Sequence, residues 1–365
     1  MTVGMPARID TPPRVVPARP AFAVGGRDDP SLAQGLMALR IQENTDGLYA
    51  CEATFGNWGA KDGDTTFLYF DRRVFDFGRE LTIRLSDETI FRGRISGLEA
   101  GFPEGGGPRL TVLAEDRFQD LRMTRRSRTF ADVTDADVVT RVAADHGLTP
   151  DVRITGPTHR VLAQVNQSDL AFLRDRARAV DAELWMDGST LTARSRTGRG
   201  GAGPLRLGYG NELREFTVLA DLAGQRTSVT VSGWDVAAKR AIAETADDGA
   251  LGGELGAGRS GASLLAAAFG VRPERVVHSV PFTGQEARSR AETLYRRIAR
   301  RFLTAHGVAQ TVPGLRVGAR MRLEHLGELF SGDYHVTEVI HLFDDEQGLR
   351  TEFFAERAGL GGAGG

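Results

Sequence analysis

Between Gly35 and Ala114 apolar side chains alternate with polar ones in short runs: Leu36 to Gln42, Leu48 to Phe55, Thr65 to Phe70, Leu81 to Leu85, Ile90 to Leu98 and Leu110 to Ala114. A period of two puts one set of side chains on one face of a strand, so each run predicts a half-buried β-strand. Turn residues punctuate the runs, with Thr45-Asp46-Gly47 after the first and Phe102-Pro103-Glu104-Gly105-Gly106-Gly107 before the last. No helical period intervenes, which predicts local antiparallel pairing and closure into a barrel or sandwich that protects the strand edges. Cys51 falls inside one run and reads as a buried strand residue.

The period then changes. Thr134 and Asp137 stand at capping-box spacing, Val138, Val139 and Val142 follow, and Gly147 offers a left-handed stop, so Asp135 to His146 predicts a helix. In Gln164 to Ala193, QVNQSDLAFLRDRARAVDAELWMDGSTLTA, the oxygens of Asn166, Ser168 and Asp169 precede Leu170, Leu173, Ala177 and Val180, a stripe at helical spacing. Phe172 and Ala179 project opposite that stripe, which predicts a helix packed on two sides. Leu184 to Met186, the Asp187-Gly188 turn and Thr190 to Ala193 then predict a hairpin. Strand patterns return from Leu205 through Leu213 to Val218 and Thr227 to Ser232, and again at 314–318, Met321 to Leu323, Tyr334 to Phe343 and Leu349 to Ala355. Between these groups lie an Ala- and Gly-rich stretch, Ala241 to Gly270, and a helix in Gln285 to Arg301 carried by Ala287, Ala291, Leu294 and Ile298.

A chain of 365 residues exceeds one ordinary core and implies two or three domains. Its 46 basic and 48 acidic residues give a net charge of −2, against a dedicated nucleic-acid binder, whose affinity needs a cationic surplus. One cysteine excludes an intramolecular disulfide and is compatible with a reducing cytoplasm. No apolar signal region opens the chain and no apolar run approaches the roughly 20 residues of a membrane span, so a soluble protein without a membrane partner is expected. Met1 to Pro20 alternates arginine with proline and is expected to remain an extended or disordered arm.

Three blocks, in order, carry a resemblance. The first is Gln164 to Leu173 (QVNQSDLAFL) with Val180-Asp181-Ala182-Glu183 and the hairpin closed by Asp187-Gly188. The second is Leu110 to Asp116 followed by the basic run Arg122-Met123-Thr124-Arg125-Arg126-Ser127-Arg128, and the third is Phe330 to His341 with Gly348 to Phe353. In this word order the chain resembles the phage late control protein D family, which includes the hub portion of contractile-tail baseplates and of type VI secretion spike proteins (VgrG). The resemblance implies a mechanical, non-catalytic homotrimer with two related β-barrels per subunit. Three copies would offer six quasi-equivalent positions to an inner tube protein and three to a spike protein. Where a VgrG continues into an oligosaccharide-binding-fold domain and a β-helical needle, this chain ends after Arg357 and a Gly-rich tail, which implies a separate spike polypeptide.

Motifs of catalysis are sparse. There is no Gly-x-x-x-x-Gly-Lys followed by Ser or Thr, and no Gly-x-Ser-x-Gly elbow. His335 and His341 share a face of one predicted strand but lie roughly 20 Å apart along it, too far for one metal. His325 can approach one of them across a hairpin, yet no cysteine or dense carboxylate set completes a shell, so no metal or cofactor is expected. Asp181 and Glu183 have the makings of a glycosidase pair, but they flank a helix-to-strand junction, where acidic residues commonly cap the chain. Trp185, Trp234 and Tyr334 read as barrel packing or trimer contact in preference to sugar or base stacking. The basic run lacks interleaved aromatics and reads as a solvated or subunit-facing surface.

The expected fold class is mainly β with α/β insertions, two β-barrel domains of tail-hub type separated by a small α/β piece. The expected segments are a disordered arm at 1–25, a first barrel at 26–121, an α/β middle domain at 122–204, a discontinuous second barrel at 205–240 and 306–358, an insertion at 241–305 and a Gly-rich tail at 359–365. The expected function is that of a baseplate hub made in the bacterial cytoplasm and assembled into a phage tail or tail-like particle. Its expected partners are itself, the spike, the inner tube and other baseplate proteins. Arg122, Arg125, Arg126, Arg128, Phe172, Trp185, Trp234 and Tyr334 are the expected contact residues. An effector- or adaptor-binding module of the particle and a peptidoglycan hydrolase of the tail tip are the alternatives.

Overall fold

Residues 19–61, 63–199, 204–235, 238–256, 258–278 and 281–361 are described in a computed structural model of the chain. The first half contains β1 (Ala21–Val24), β2 (Arg27–Asp28), α1 (Pro30–Gly35), β3 (Leu36–Asn44), β4 (Ala50–Gly56), β5 (Trp58–Lys61), β6 (Asp64–Phe67), β7 (Glu80–Leu85), β8 (Glu88–Gly101) and β9 (Arg109–Glu115). The alternation read from the sequence becomes burial on alternate residues, as along β9, where Leu110, Val112 and Ala114 point inward. The ladder runs β3-β4-β9-β8-β7-β1-β2 and curls on itself. Phe22 on β1 meets Phe55 on β4 with ring centroids 5.4 Å apart, although three strands stand between them. The arm expected over residues 1–25 therefore contributes a strand at Ala21–Val24, because Phe22 finds a pocket in the core; residues 1–18 lie outside the described residues.

The middle piece holds α2 (Phe118–Met123), β10 (Arg125–Val133), α3 (Asp135–Asp145), β11 (Thr149–Arg153), β12 (His159–Ser168), α4 (Asp169–Ala179), β13 (Ala182–Asp187) and β14 (Thr190–Ser195). Thr134 and Asp137 form the expected reciprocal capping box on α3. Ser168 Oγ accepts from the Ala171 N–H at the start of α4. Phe172 is buried and stacked on Phe130, centroids 5.7 Å apart, on the side of α4 away from Leu173 and Ala177, so that helix is covered on both sides. The Asp187-Gly188 hairpin forms as expected, with β11 added parallel to β14. The basic run is split: Arg122 and Met123 close α2, while Arg125 to Arg128 open β10, which pairs with β12 in a two-stranded antiparallel ribbon.

Beyond residue 204 come β15 (Leu205–Gly208), β16 (Leu213–Ala220), β17 (Ser228–Asp235), β18 (Arg240–Ala246), β19 (Arg259–Ser260), α5 (Gly261–Phe269), β20 (Pro273–Val276) and α6 (Gly284–Arg300). They are followed by β21 (Leu303–Gln310), β22 (Arg320–Glu324), α7 (Gly327–Phe330), β23 (Gly332–Asp344), β24 (Gly348–Arg357) and β25 (Gly359–Leu360). The second half runs β16-β21-β24-β23 with β22 and β15 along the other end of β23, around a separate core of Leu303, Met321, Tyr334, Val339 and Phe353. One expectation is corrected here. β17, read as part of the second barrel, instead joins β18 and β20 in a sheet of its own. Val229, Val231, Ile242 and Val276 cover the Ala287, Ala291 and Tyr295 face of α6, so the strand is committed to the insertion by the helix it shields.

The whole is mainly β with α/β insertions. The two β halves are separated in sequence by the middle piece but are continuous in space, because β23 pairs with β3 and merges them into one 13-stranded sheet. The ladder order is an open path among the described residues, each half wrapping its own core. Phe55 packs against Phe22, Tyr69 and Phe75, and Phe55→Ala is expected to cost about 3–5 kcal/mol in chemical denaturation. Trp234→Ala, at a ring 51% exposed, should stay within about 0.5 kcal/mol. Equal losses from the two would contradict the core assignment.

Candidate functional site

The sequence block QVNQSDLAFL is built around one buried carboxylate. Asp169, at the N-terminus of α4, accepts hydrogen bonds from Arg126 Nε (3.0 Å), Arg128 Nη2 (3.2 Å) and Gln164 Nε2 (2.8 Å), and His146 Nε2 lies 2.8 Å away. Gln164 is the hinge of the arrangement, because its amide also donates to the Gln167 carbonyl and accepts from Arg128. Burial pushes the Asp169 carboxyl up, but the bonds from Gln164 and His146 and the charge of Arg128 outweigh it and hold the group ionised. Asn166 sits at φ 43°, so the chain turns before the helix begins. A second buried carboxylate, Asp135, is held by Arg176 Nε at 2.5 Å and His159 Nε2 at 3.1 Å.

A third group of charges lies where the units meet. Arg300, at the end of α6, reaches both oxygens of Asp181 (2.5 and 2.7 Å) and both oxygens of Glu254 at 2.7 Å. Arg196 pairs with Glu356 of β24. Arg199 pairs with Glu183 at 2.9 Å, donates to Tyr49 Oη at 2.5 Å and lies 4.5 Å over the Trp185 ring. His335 Nε2 is 3.6 Å from Glu183, close enough for charge but beyond a hydrogen bond. This network ties the insertion, the middle piece and both halves together beside a cleft of about 650 Å³ lined by Asp181, Glu254, Arg296, His335 and Arg357.

The geometry bears on the acid–base pair considered from the sequence. Burial raises the Glu183 carboxyl, but His335 and the Arg199 charge more than reverse this and hold it at about 2. Both Asp181 and Glu183 are committed to arginines, so neither is placed as a proton donor. His341 is fully buried, with Nδ1 3.1 Å from Thr351 Oγ1, and its ring is pushed down to about 3 by desolvation. His325 lies beside Gly208, in a different groove from His335. Among the described residues no three His, Cys, Asp or Glu side chains are grouped to hold a metal ion.

The sequence-named contact residues divide by position. Arg126 and Arg128 turn toward Asp169, Phe172 is buried on Phe130, and Tyr334 is buried with its hydroxyl donating to the Phe330 carbonyl. Trp185 lies half-buried under Arg199. Arg122 pairs with Glu115 and Arg125 donates to the Asn166 carbonyl, both side chains remaining at the surface. Trp234 is exposed on the insertion sheet. The structure thus brings Arg126 and Arg128 together around Asp169 and leaves Trp234 remote from them. Sequence reasoning took Asp169 as a cap and missed its role as an anchor. The available signal was Arg-x-Arg on one strand, since residues two apart share a face.

A family model described as Alg8 N-terminal domain matches residues 57–345. No curated protein matches the chain in sequence. The solved structure of the 43 kDa tail protein of prophage MuSo2 from Shewanella oneidensis is similar at a TM-score of 0.70 and 15% identity, covering 93% of this chain and 98% of that one. A tail protein from Neisseria meningitidis gives 0.67 and 13%, covering 93% and 96%. An Escherichia coli component of the type VI secretion system, itself described as similar to T4 bacteriophage tail proteins, gives 0.57 and 11%, covering 88% and 73%. At these identities the likeness is one of fold, and the fold is that of tail proteins.

The depressed Glu183 carboxyl has a consequence for stability. Its folded value lies below the ordinary 4.5, so its contribution is complete above about pH 4.5 and is lost as pH falls toward 2. The loss is on the order of 3 kcal/mol. Denaturation of the wild type should therefore become easier across that window, and Glu183→Gln should be less stable at pH 7 with a flatter acid limb. An unchanged limb would contradict the assignment.

Proposed function

This chain belongs to the family described as Alg8 N-terminal domain, and from its fold we propose that it is the structural baseplate hub of a contractile phage tail or tail-like injection system. Three copies form a homotrimer that joins the six-fold inner tube protein to the three-fold spike protein, with other baseplate proteins around it. The observation that carries this is the likeness in fold to two tail proteins over more than nine-tenths of each chain. The likeness to a type VI secretion component supports the same placement. So does the arrangement of the sheet, which gives each copy two curled β halves in one body and a trimer six.

The role is mechanical. Its carboxylates are spent on arginines that fix the units, and no cofactor enters the proposal. Arg126 and Arg128 face inward, which supports a hub without nucleic acid as a partner. The polypeptide is made in the bacterial cytoplasm and assembled into the particle. Native mass of the purified chain, alone and with a candidate spike protein, tests this. A trimer in either sample is expected, and a monomer in both would overturn the proposal.

A further inference from the structure

The β10–β12 ribbon stands apart from the other sheets in being unfinished. Among the described residues each of its strands pairs only with the other, and no backbone hydrogen bond ties either outer edge to another element. Its inner face carries Arg128, Phe130 and Gln164 against the helices, while Ser127, Thr129 and Ala131 of β10 and Val161, Ala163 and Val165 of β12 are exposed. Val161 is 59% and Val165 73% exposed. Free edges are ordinarily protected by charge, proline or cover. Here a bulge between Arg126 and Arg128 bends one end, but the centre of the outer face has no charge.

Two exposed charges stand at the far end of the ribbon. Asp132, at φ 50°, and Arg160 have no ion partner among the described residues. The register that sets Ala131 opposite Val161 and Val133 opposite His159 brings these two to the same level of the ribbon. An acidic residue on one strand and a basic residue on the other make the two edges complementary to each other and not to themselves.

We infer that the ribbon is a contact between copies of this chain, in which the free edge of β10 accepts the free edge of β12 from a second copy. The strands run antiparallel in the register used within the chain, so Asp132 of one copy stands opposite Arg160 of the next. Unlike edges make a heterologous contact, which passes round a ring, whereas like edges stop at two copies. The inference rests on the trimeric reading and specifies the surface that builds it. Each contact satisfies backbone N–H and C=O groups along a strand of nine or ten residues and sets Val161 beside Ala131 of the neighbouring copy.

Two single variants of the full chain, Thr129→Cys and Ala163→Cys, test the pairing when co-expressed, with the spike protein where the trimer needs it. Native Cys51 is 1% exposed and does not compete. Mild oxidation should give a covalent dimer only when both variants are present, because residues directly opposite across a ladder lie within disulfide reach. A dimer from either variant alone would mean that like edges meet and would overturn the inference. A trimeric native mass without cross-link would also overturn it while leaving the hub reading intact. A monomer without cross-link would remove both. Protection of the β10 amides that appears on adding spike protein, without cross-linking between copies, would place a spike strand on this edge and equally contradict the inference.

Discussion

The ladder between β3 and β23 is the constraint on which the rest of the structure depends. It pairs Ala38 with Asp344 through Asn44 with Glu338, strands separated by almost the whole chain, and turns two curled sheets into one. The Thr45 N–H continues it to the Thr337 carbonyl. Beneath it the buried carboxylate of Glu43, from the first half, pairs with Arg316, from the second. Removing water from these groups is costly, and only the joined arrangement pairs them. The halves are therefore held as one body, and a surface presented by one has a fixed relation to a surface presented by the other.

The same logic runs through the middle piece. A buried ion pair adds little net stability compared with apolar packing, but it penalises any arrangement in which a partner is missing. Asp169 makes α4, β10 and α3 mutually dependent through Arg126, Arg128 and His146. Asp181 and Glu254 make α6 dependent on the turn before β13 through Arg300. The hub role proposed above would need fixed angles between the units, and charge networks at the joints supply such angles without enlarging the cores.

Local pattern made much of this legible in the sequence. The period-two runs located β3, β4, β7, β8 and β9, Thr134 with Asp137 located α3, and Asp187-Gly188 located the hairpin. Phe172 opposite Leu173 correctly implied a helix covered on both sides. Pairings between distant segments were not legible, because a strand's alternation names its buried face and not its neighbour. Thus β17, with Val229 and Val231 well patterned, was assigned to the wrong sheet. The arginines of β10 read as surface because the carboxylate that neutralises them lies 41 to 43 residues away. Helix α5 hid in an Ala- and Gly-rich stretch whose small side chains give little periodic signal.

The most direct measurement is an electron-microscopic reconstruction of the assembled particle at the level where the tube meets the spike. Two halves locked by the β3–β23 ladder predict three copies of this chain, with first and second halves alternating round the ring to face six tube subunits. Six copies at that level, or three copies that face the tube through one half alone, would contradict it.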